Sequence, residues 1–200
     1  MRRIYIVRHG ETDWNKHRKY QGQTDVPLNE EGRRQAEALA VALKGSLPFD
    51  RIVSSDLHRA VETAEIMTRG FDTPVQTDEA FREINFGDWE GLDMKAIDER
   101  WPGRMQEWFT KGVLNVPGGE TEEQLFERVW GGFRYWADKT DYQKMAIVCH
   151  GGTSSVLICS VNGRPPQEMS RYLLKNAGLC IVAVEAPGRY AIEHLGDLLR

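Results

Sequence analysis

Cysteine is scarce in this chain, with three residues, Cys149, Cys159 and Cys180, in 200. So sparse and odd a count argues against a disulfide framework and for a reducing, cytoplasmic setting. Long apolar runs are missing too, and none approaches the ~18 residues of a membrane span. Met1-Arg2-Arg3 leads into only Ile4-Tyr5-Ile6-Val7 before Arg8 and His9, too short for the core of a secretory leader. Positive charge is not in surplus: 26 Lys and Arg against 30 Asp and Glu leave a formal net charge of −4. That disfavours a nucleic-acid partner, which needs a cationic footprint. No H-E-x-x-H, G-x-S-x-G or P-loop string occurs, and no Cys/His cluster has zinc spacing. Cys149 lacks the arginine six positions on that a cysteine phosphatase loop requires; position 155 is serine. Neither metal nor cofactor is expected, and nothing in the pattern specifies an oligomer.

What remains is ordinary globular composition, 40% hydrophobic and 28% charged, with no repeat or linker to divide it, so residues 1–200 read as one domain. Ile4 to Val7 reads as a buried strand ending at Gly10. Asn29 can cap a helix through about Lys44, and Phe49 to Ser54 reads as a second strand. Asp56 can cap a helix through about Thr68, and Pro74 to Thr77 is a short strand candidate. Residues 92–140 are helical and aromatic. Within them Thr121, with Glu123 and Gln124 behind it, starts a helix whose buried face is Leu125, Val129, Phe133 and Trp136. Lys144 to Cys149 is a strand, followed by His150-Gly151-Gly152 and a helix from about Ser154. Leu179 to Glu185 and Tyr190 to His194 flank Pro187-Gly188 as a closing hairpin. Alternating strands and helices predict an α/β sandwich, with ligands bound beyond the carboxyl ends of the strands.

Chemistry concentrates at those ends. Arg8-His9-Gly10-Glu11-Thr12 follows the first strand. An imidazole is a nucleophile at neutral pH without a helper base, and the adjacent guanidinium grips phosphate through two parallel hydrogen bonds. Arg59 falls at a helix start just past the second strand, where free N–H groups suit an oxyanion. On the bland reading it is a surface arginine paired with Glu62 or Glu65. His150 sits past a third strand, 150 − 9 = 141 positions after His9. Glu83, in Phe81-Arg82-Glu83-Ile84-Asn85-Phe86-Gly87, has apolar neighbours that would keep it protonated, unless it pairs with an arginine such as Arg82. Together they form a phosphoryl-transfer set: His9 as nucleophile, Arg8, Arg59 and His150 around the anion, Glu83 as proton donor.

The sequence resembles the histidine phosphatase superfamily of phosphoglycerate mutase-like proteins. The resemblance is carried by Val7-Arg8-His9-Gly10-Glu11-Thr12-Asp13-Trp14-Asn15, Gln21-Gly22, Asp25-Val26-Pro27-Leu28-Asn29, Ser54-Ser55-Asp56-Leu57-His58-Arg59-Ala60, Glu83, Phe86-Gly87-Asp88-Trp89-Glu90-Gly91, Pro117-Gly118-Gly119-Glu120 and His150-Gly151-Gly152, in the family's order over nearly the whole chain. It implies a three-layer α/β/α sandwich with a mostly parallel central sheet and a phosphohistidine intermediate on His9. It also implies that Asn15, the Gln21-Gly22 loop and Gly151 belong to the phosphate pocket. The expected activity is metal-independent hydrolysis of a small-molecule phosphate ester. The Phe86 to Gly91 string resembles the phosphatase branch, notably alpha-ribazole phosphatases of cobalamin synthesis and broad-specificity phosphatases. A mutase of the family usually carries paired arginines in its insertion; here Arg100 and Arg104 are separated. Phosphoglycerate mutase and phosphoserine phosphatase stand as alternatives, as does a catalytically silent phospho-ligand binding protein. Part of residues 92–110 is expected to roof the pocket.

Overall fold

Strand β1 (Arg2–Arg8) alternates its side chains between two helical layers, and that alternation sets the architecture. Ile4 and Ile6 face one buried cluster and Tyr5 and Val7 the other. The computed structural model describes residues 1–112 and 114–196. After β1 come α1 (Asp13–Lys16), α2 (Glu30–Ala42), β2 (Arg51–Ser54), α3 (His58–Met67) and β3 (Val75–Thr77). Helices α4 (Met94–Arg100), α5 (Arg104–Lys111) and α6 (Glu122–Ala137) follow, then β4 (Lys144–Cys149), α7 (Gly151–Val161), β5 (Leu179–Ala186) and β6 (Arg189–Gly196). The six strands are ordered β3-β2-β4-β1-β5-β6. The first four of that order are mutually parallel, and β5 and β6 close the sheet antiparallel, as the hairpin reading expects. Helices α2 and α3 cover the Tyr5 face, while α6 and α7 cover the Ile4 face. Among the described residues no helix is long and apolar enough to cross a membrane.

Local signals explain most of these boundaries. Asn29 caps α2 through the Gly32 N–H at 2.8 Å. Thr121 and Gln124 form a reciprocal capping box at the start of α6, and Leu125, Val129, Phe133 and Trp136 are all buried. Two helix starts differ from the sequence reading. Asp56 does not cap α3, because its carboxylate holds Arg82 in a two-pronged ion pair, a stronger partner than a neutral amide. The cap comes instead from Asp25, whose Oδ1 accepts from the His58 N–H at 2.9 Å. Helix α7 begins at Gly151, three residues before the expected Ser154. Glycines there read locally as loop, but close packing favours them.

Register then places the chemistry. Strands β1 and β4 are neighbours with Arg8 opposite Cys149, and the His9 N–H donates to the Cys149 carbonyl at 3.0 Å. Two histidines 141 positions apart in sequence therefore leave adjacent strand ends side by side.

Candidate active site

His9 is buried and its Nδ1 lies 2.6 Å from the Gly10 carbonyl. A carbonyl only accepts, so Nδ1 carries the proton and the Nε2 lone pair is left for reaction. Burial, then the fields of Arg59 and Arg8, hold the imidazole well below its ordinary range, so it is neutral at about pH 7. The loop behind it is tied down by two side chains. Thr63 Oγ1 accepts from the Gly10 N–H at 3.1 Å, and Asn176 Nδ2 donates to the His9 and Gly10 carbonyls at 3.1 and 3.2 Å.

His150 lies deeper, 0% exposed, with its ring centroid 5.1 Å from that of His9. Its Nδ1 accepts from Arg59 Nε at 3.2 Å, so Nε2 bears the hydrogen and donates to Ser55 Oγ at 2.8 Å. Both ring nitrogens are engaged. Burial, then Arg59 and His9, also hold His150 well below its ordinary range.

Arg59 is 0% exposed and makes no pair with Glu62, which holds Arg33 instead. Its Nη1 and Nη2 donate to the Thr24 and Gly22 carbonyls at 2.9 and 2.7 Å. Burial pulls its pKa down to about 10. Arg8 donates from Nη1 to the Leu174 carbonyl at 2.5 Å, while its buried Nε has no partner. An unpartnered buried donor costs about 1–3 kcal/mol, which an oxyanion in the cavity would recover. Cys149 is buried and burial pushes its thiol well up, so a thiolate is not available here.

Glu83 is not paired with Arg82, which holds Asp56 instead. Its Oε1 accepts from the Ile84 and Thr153 N–H groups at 3.0 and 3.2 Å, and Oε2 from the Gly152 N–H at 3.1 Å. The early start of α7 supplies two of those donors. Asn15 Oδ1 accepts from the Thr12 backbone and from Asn176, and Gln21 Oε1 accepts from Thr12 Oγ1 at 2.9 Å.

These groups share one cavity of about 250 Å³. Arg8, His9, Asn15, Gln21, Gly22, Arg59, Glu83 and Gly151 line its floor, with His150 beneath them. The rest of the lining is mostly apolar: Tyr20, Ile84, Phe86, Trp108 and Phe109 of α5, Met169 and Leu173, with Lys19, Ser155 and Ser170 among them. Within residues 92–110 it is Trp108 and Phe109 that line the cavity, while Trp130 stacks on Phe133 in the core. Asn176, Met169 and Leu173 lie in no motif, because each reaches the site from a distant part of the chain; Ser55 lies in the Ser54 to Ala60 motif but was given no role of its own. Among the described residues no group of His, Cys, Asp and Glu could hold a metal ion.

The family model of the histidine phosphatase superfamily, branch 1, matches residues 4–197. The chain belongs to the histidine phosphatase superfamily. Within it, an uncharacterized phosphatase, PhoE of Bacillus subtilis, is 35% identical over 87% of this chain and 84% of its own length. A probable phosphoglycerate mutase, GpmB of Cronobacter sakazakii, is 33% identical over 99% of this chain and 94% of its own. The alpha-ribazole phosphatase of Shigella flexneri superposes with a TM-score of 0.89 at 26% identity, covering 98% of this chain and 96% of that one. Histidine phosphatase membership and phosphatase-named relatives make this an enzyme with phosphatase activity.

Proposed function

We propose that the enzyme hydrolyses a small phosphate monoester through a phosphohistidine, without a metal. The observation that carries this reading is the neutral His9, its Nε2 free, set between two arginines on the floor of a cavity with mostly apolar walls. Nε2 attacks phosphorus while the ester oxygen departs. Arg8, Arg59 and Asn15 hold the phosphoryl oxygens, the Gly151 end of α7 adds a positive dipole end, and His150 supports Arg59 from beneath. Glu83 protonates the leaving alkoxide, and water then cleaves the N–P bond to release phosphate.

The cavity, at about 250 Å³, lies just below the usual range of ligand pockets, roughly 300–1,000 Å³. A small-molecule ester fits it and a folded protein does not. The Shigella flexneri relative makes alpha-ribazole 5'-phosphate the first candidate. The Cronobacter sakazakii relative motivates the rival, a mutase returning the phosphoryl group to a sugar acid. Against it, the cationic residues lining the described cavity are Arg8, Arg59 and Lys19, and Arg104 is turned to Asn115. That leaves no arginine pair for a second anionic group.

A panel of alpha-ribazole 5'-phosphate, phosphoserine, 3-phosphoglycerate and aryl phosphates, ranked by kcat/KM in excess EDTA, tests the proposal. Phosphate release from an apolar ester without added metal is expected. Activity that needs magnesium or zinc, or isomerisation of 3-phosphoglycerate outpacing phosphate release when 2,3-bisphosphoglycerate is supplied, would overturn it.

A further inference from the structure

The Gly22–Thr24 loop presents its carbonyls to one charge and its amides to another. On one side Arg59 donates to the Gly22 and Thr24 carbonyls at 2.7 and 2.9 Å. On the other, the Gln23 N–H donates to Glu90 Oε1 at 2.8 Å and the Thr24 N–H to Oε2 at 2.9 Å. The Thr24 hydroxyl donates to Oε2 as well, at 2.5 Å. The Gly22 carbonyl and the Gln23 N–H belong to the same peptide group, so one planar amide joins guanidinium to carboxylate. Each charge polarises that amide in the sense that strengthens the bond on its far side.

The approach depends on Gly22. Its φ is +54°, and a Cβ there would lie 1.9 Å from Glu90 Oε1. Only glycine leaves the carboxylate room to seat against the loop. Among the described residues Glu90 makes no direct hydrogen bond to Arg59; the amide stands between them.

We propose that Glu90 is a positioning residue for Arg59, acting through the Gly22–Gln23 peptide group to fix the guanidinium over His9. The proposal rests on the phosphatase reading for what Arg59 then does, which is to hold the transferring phosphoryl group. The groups that Arg59 touches, the Gly22 and Thr24 carbonyls and His150 Nδ1, carry no formal charge. The Glu90 carboxylate behind the dipoles adds to the balancing charge of Glu83 and Asp25, and it does so through the loop without direct contact, so the face toward the substrate stays free.

The test is a double-mutant cycle of Glu90→Gln with Arg59→Lys, since lysine keeps the charge but cannot span both carbonyls. The readouts are the single-turnover phosphorylation rate with nitrophenyl phosphate, its half-saturation concentration, and the Kd for orthovanadate. In the Arg59 background Glu90→Gln is expected to slow phosphorylation on the order of tenfold, with half-saturation changed less than about threefold. Orthovanadate affinity should fall in parallel. In the Arg59→Lys background the same substitution should change each readout by less than about twofold. Equal losses in both backgrounds, or no loss in either, would overturn the proposal. If Glu90→Gln loses its cooperative thermal transition, Thr24→Val replaces it under the same criterion, because it removes one donor to Glu90 and none of Arg59's acceptors. Wild-type protein that binds orthovanadate but turns over no ester would sink the phosphatase reading alone. The orthovanadate cycle would still decide the role of Glu90.

Discussion

A histidine attacks phosphorus only through a nitrogen whose lone pair is free, and a leaving alkoxide departs only if a proton meets it. The Gly10 carbonyl settles the first condition by fixing the His9 tautomer. Glu83 is assigned the second, and the assignment makes a prediction. General-acid help is worth about 10²–10⁴-fold for a poor leaving group and little for a nitrophenolate. Glu83→Gln should therefore cut single-turnover phosphorylation by an alkyl phosphate about 10²-fold or more, and by nitrophenyl phosphate far less. The amide also loses one acceptor for the α7 N–H groups, but that positional cost falls on both esters alike. Equal losses would remove Glu83 as the acid. At this scale the sequence was most legible where residues cluster in motifs: Arg8, His9, Arg59 and Glu83 all reach one cavity. Asn176 was illegible, because its bonds to His9 and Gly10 span 167 and 166 positions and leave no local trace.

Helix α7 is the element on which the site turns. Its first residues place N–H groups on Glu83, and Gly152 permits the contact. A Cβ at Gly152 would lie 2.6 Å from Glu83 Oε1 and 2.5 Å from Ile84 Cδ1. Gly152→Ala must therefore displace the carboxylate or its neighbour. Misplacement of a reacting group by about 1 Å costs on the order of 10²-fold. We expect a loss of that size in kcat/KM, with a melting transition that stays cooperative. Activity near wild type would mean that the Glu83 seat is not critical. The sequence put the start of α7 three residues late and gave α3 the wrong cap for one reason. Both boundaries are set by tertiary partners, Glu83 and Asp25, whereas Asn29 and Thr121 cap from within their own segments and were read correctly.

For the whole molecule, two buried neutral histidines tie stability to pH. The unfolded chain takes up a proton on each as pH falls through about 6.5. The folded form, with both held well below that value, refuses them. The unfolded state then binds more protons, so stability rises with pH and is lost below about pH 6.5. The slope is at most about 1.4 kcal/mol per pH unit for each histidine. Urea midpoints between about pH 7.5 and about pH 5.5 should fall accordingly, and His9→Gln should flatten the slope by about half. An unchanged slope in that variant would contradict the burial argument. The sheet was legible at this scale because strands β1 and β4 are short apolar runs ending in polar loops. Their adjacency was not, since register is a property of the folded chain. That adjacency makes His9 the candidate nucleophile, and protein mixed with radiolabelled phosphate ester and then quenched in alkaline denaturant tests it most directly. The account predicts an acid-labile, base-stable label that is absent in His9→Ala. Full activity in that variant, or a stable label on another residue, would contradict it.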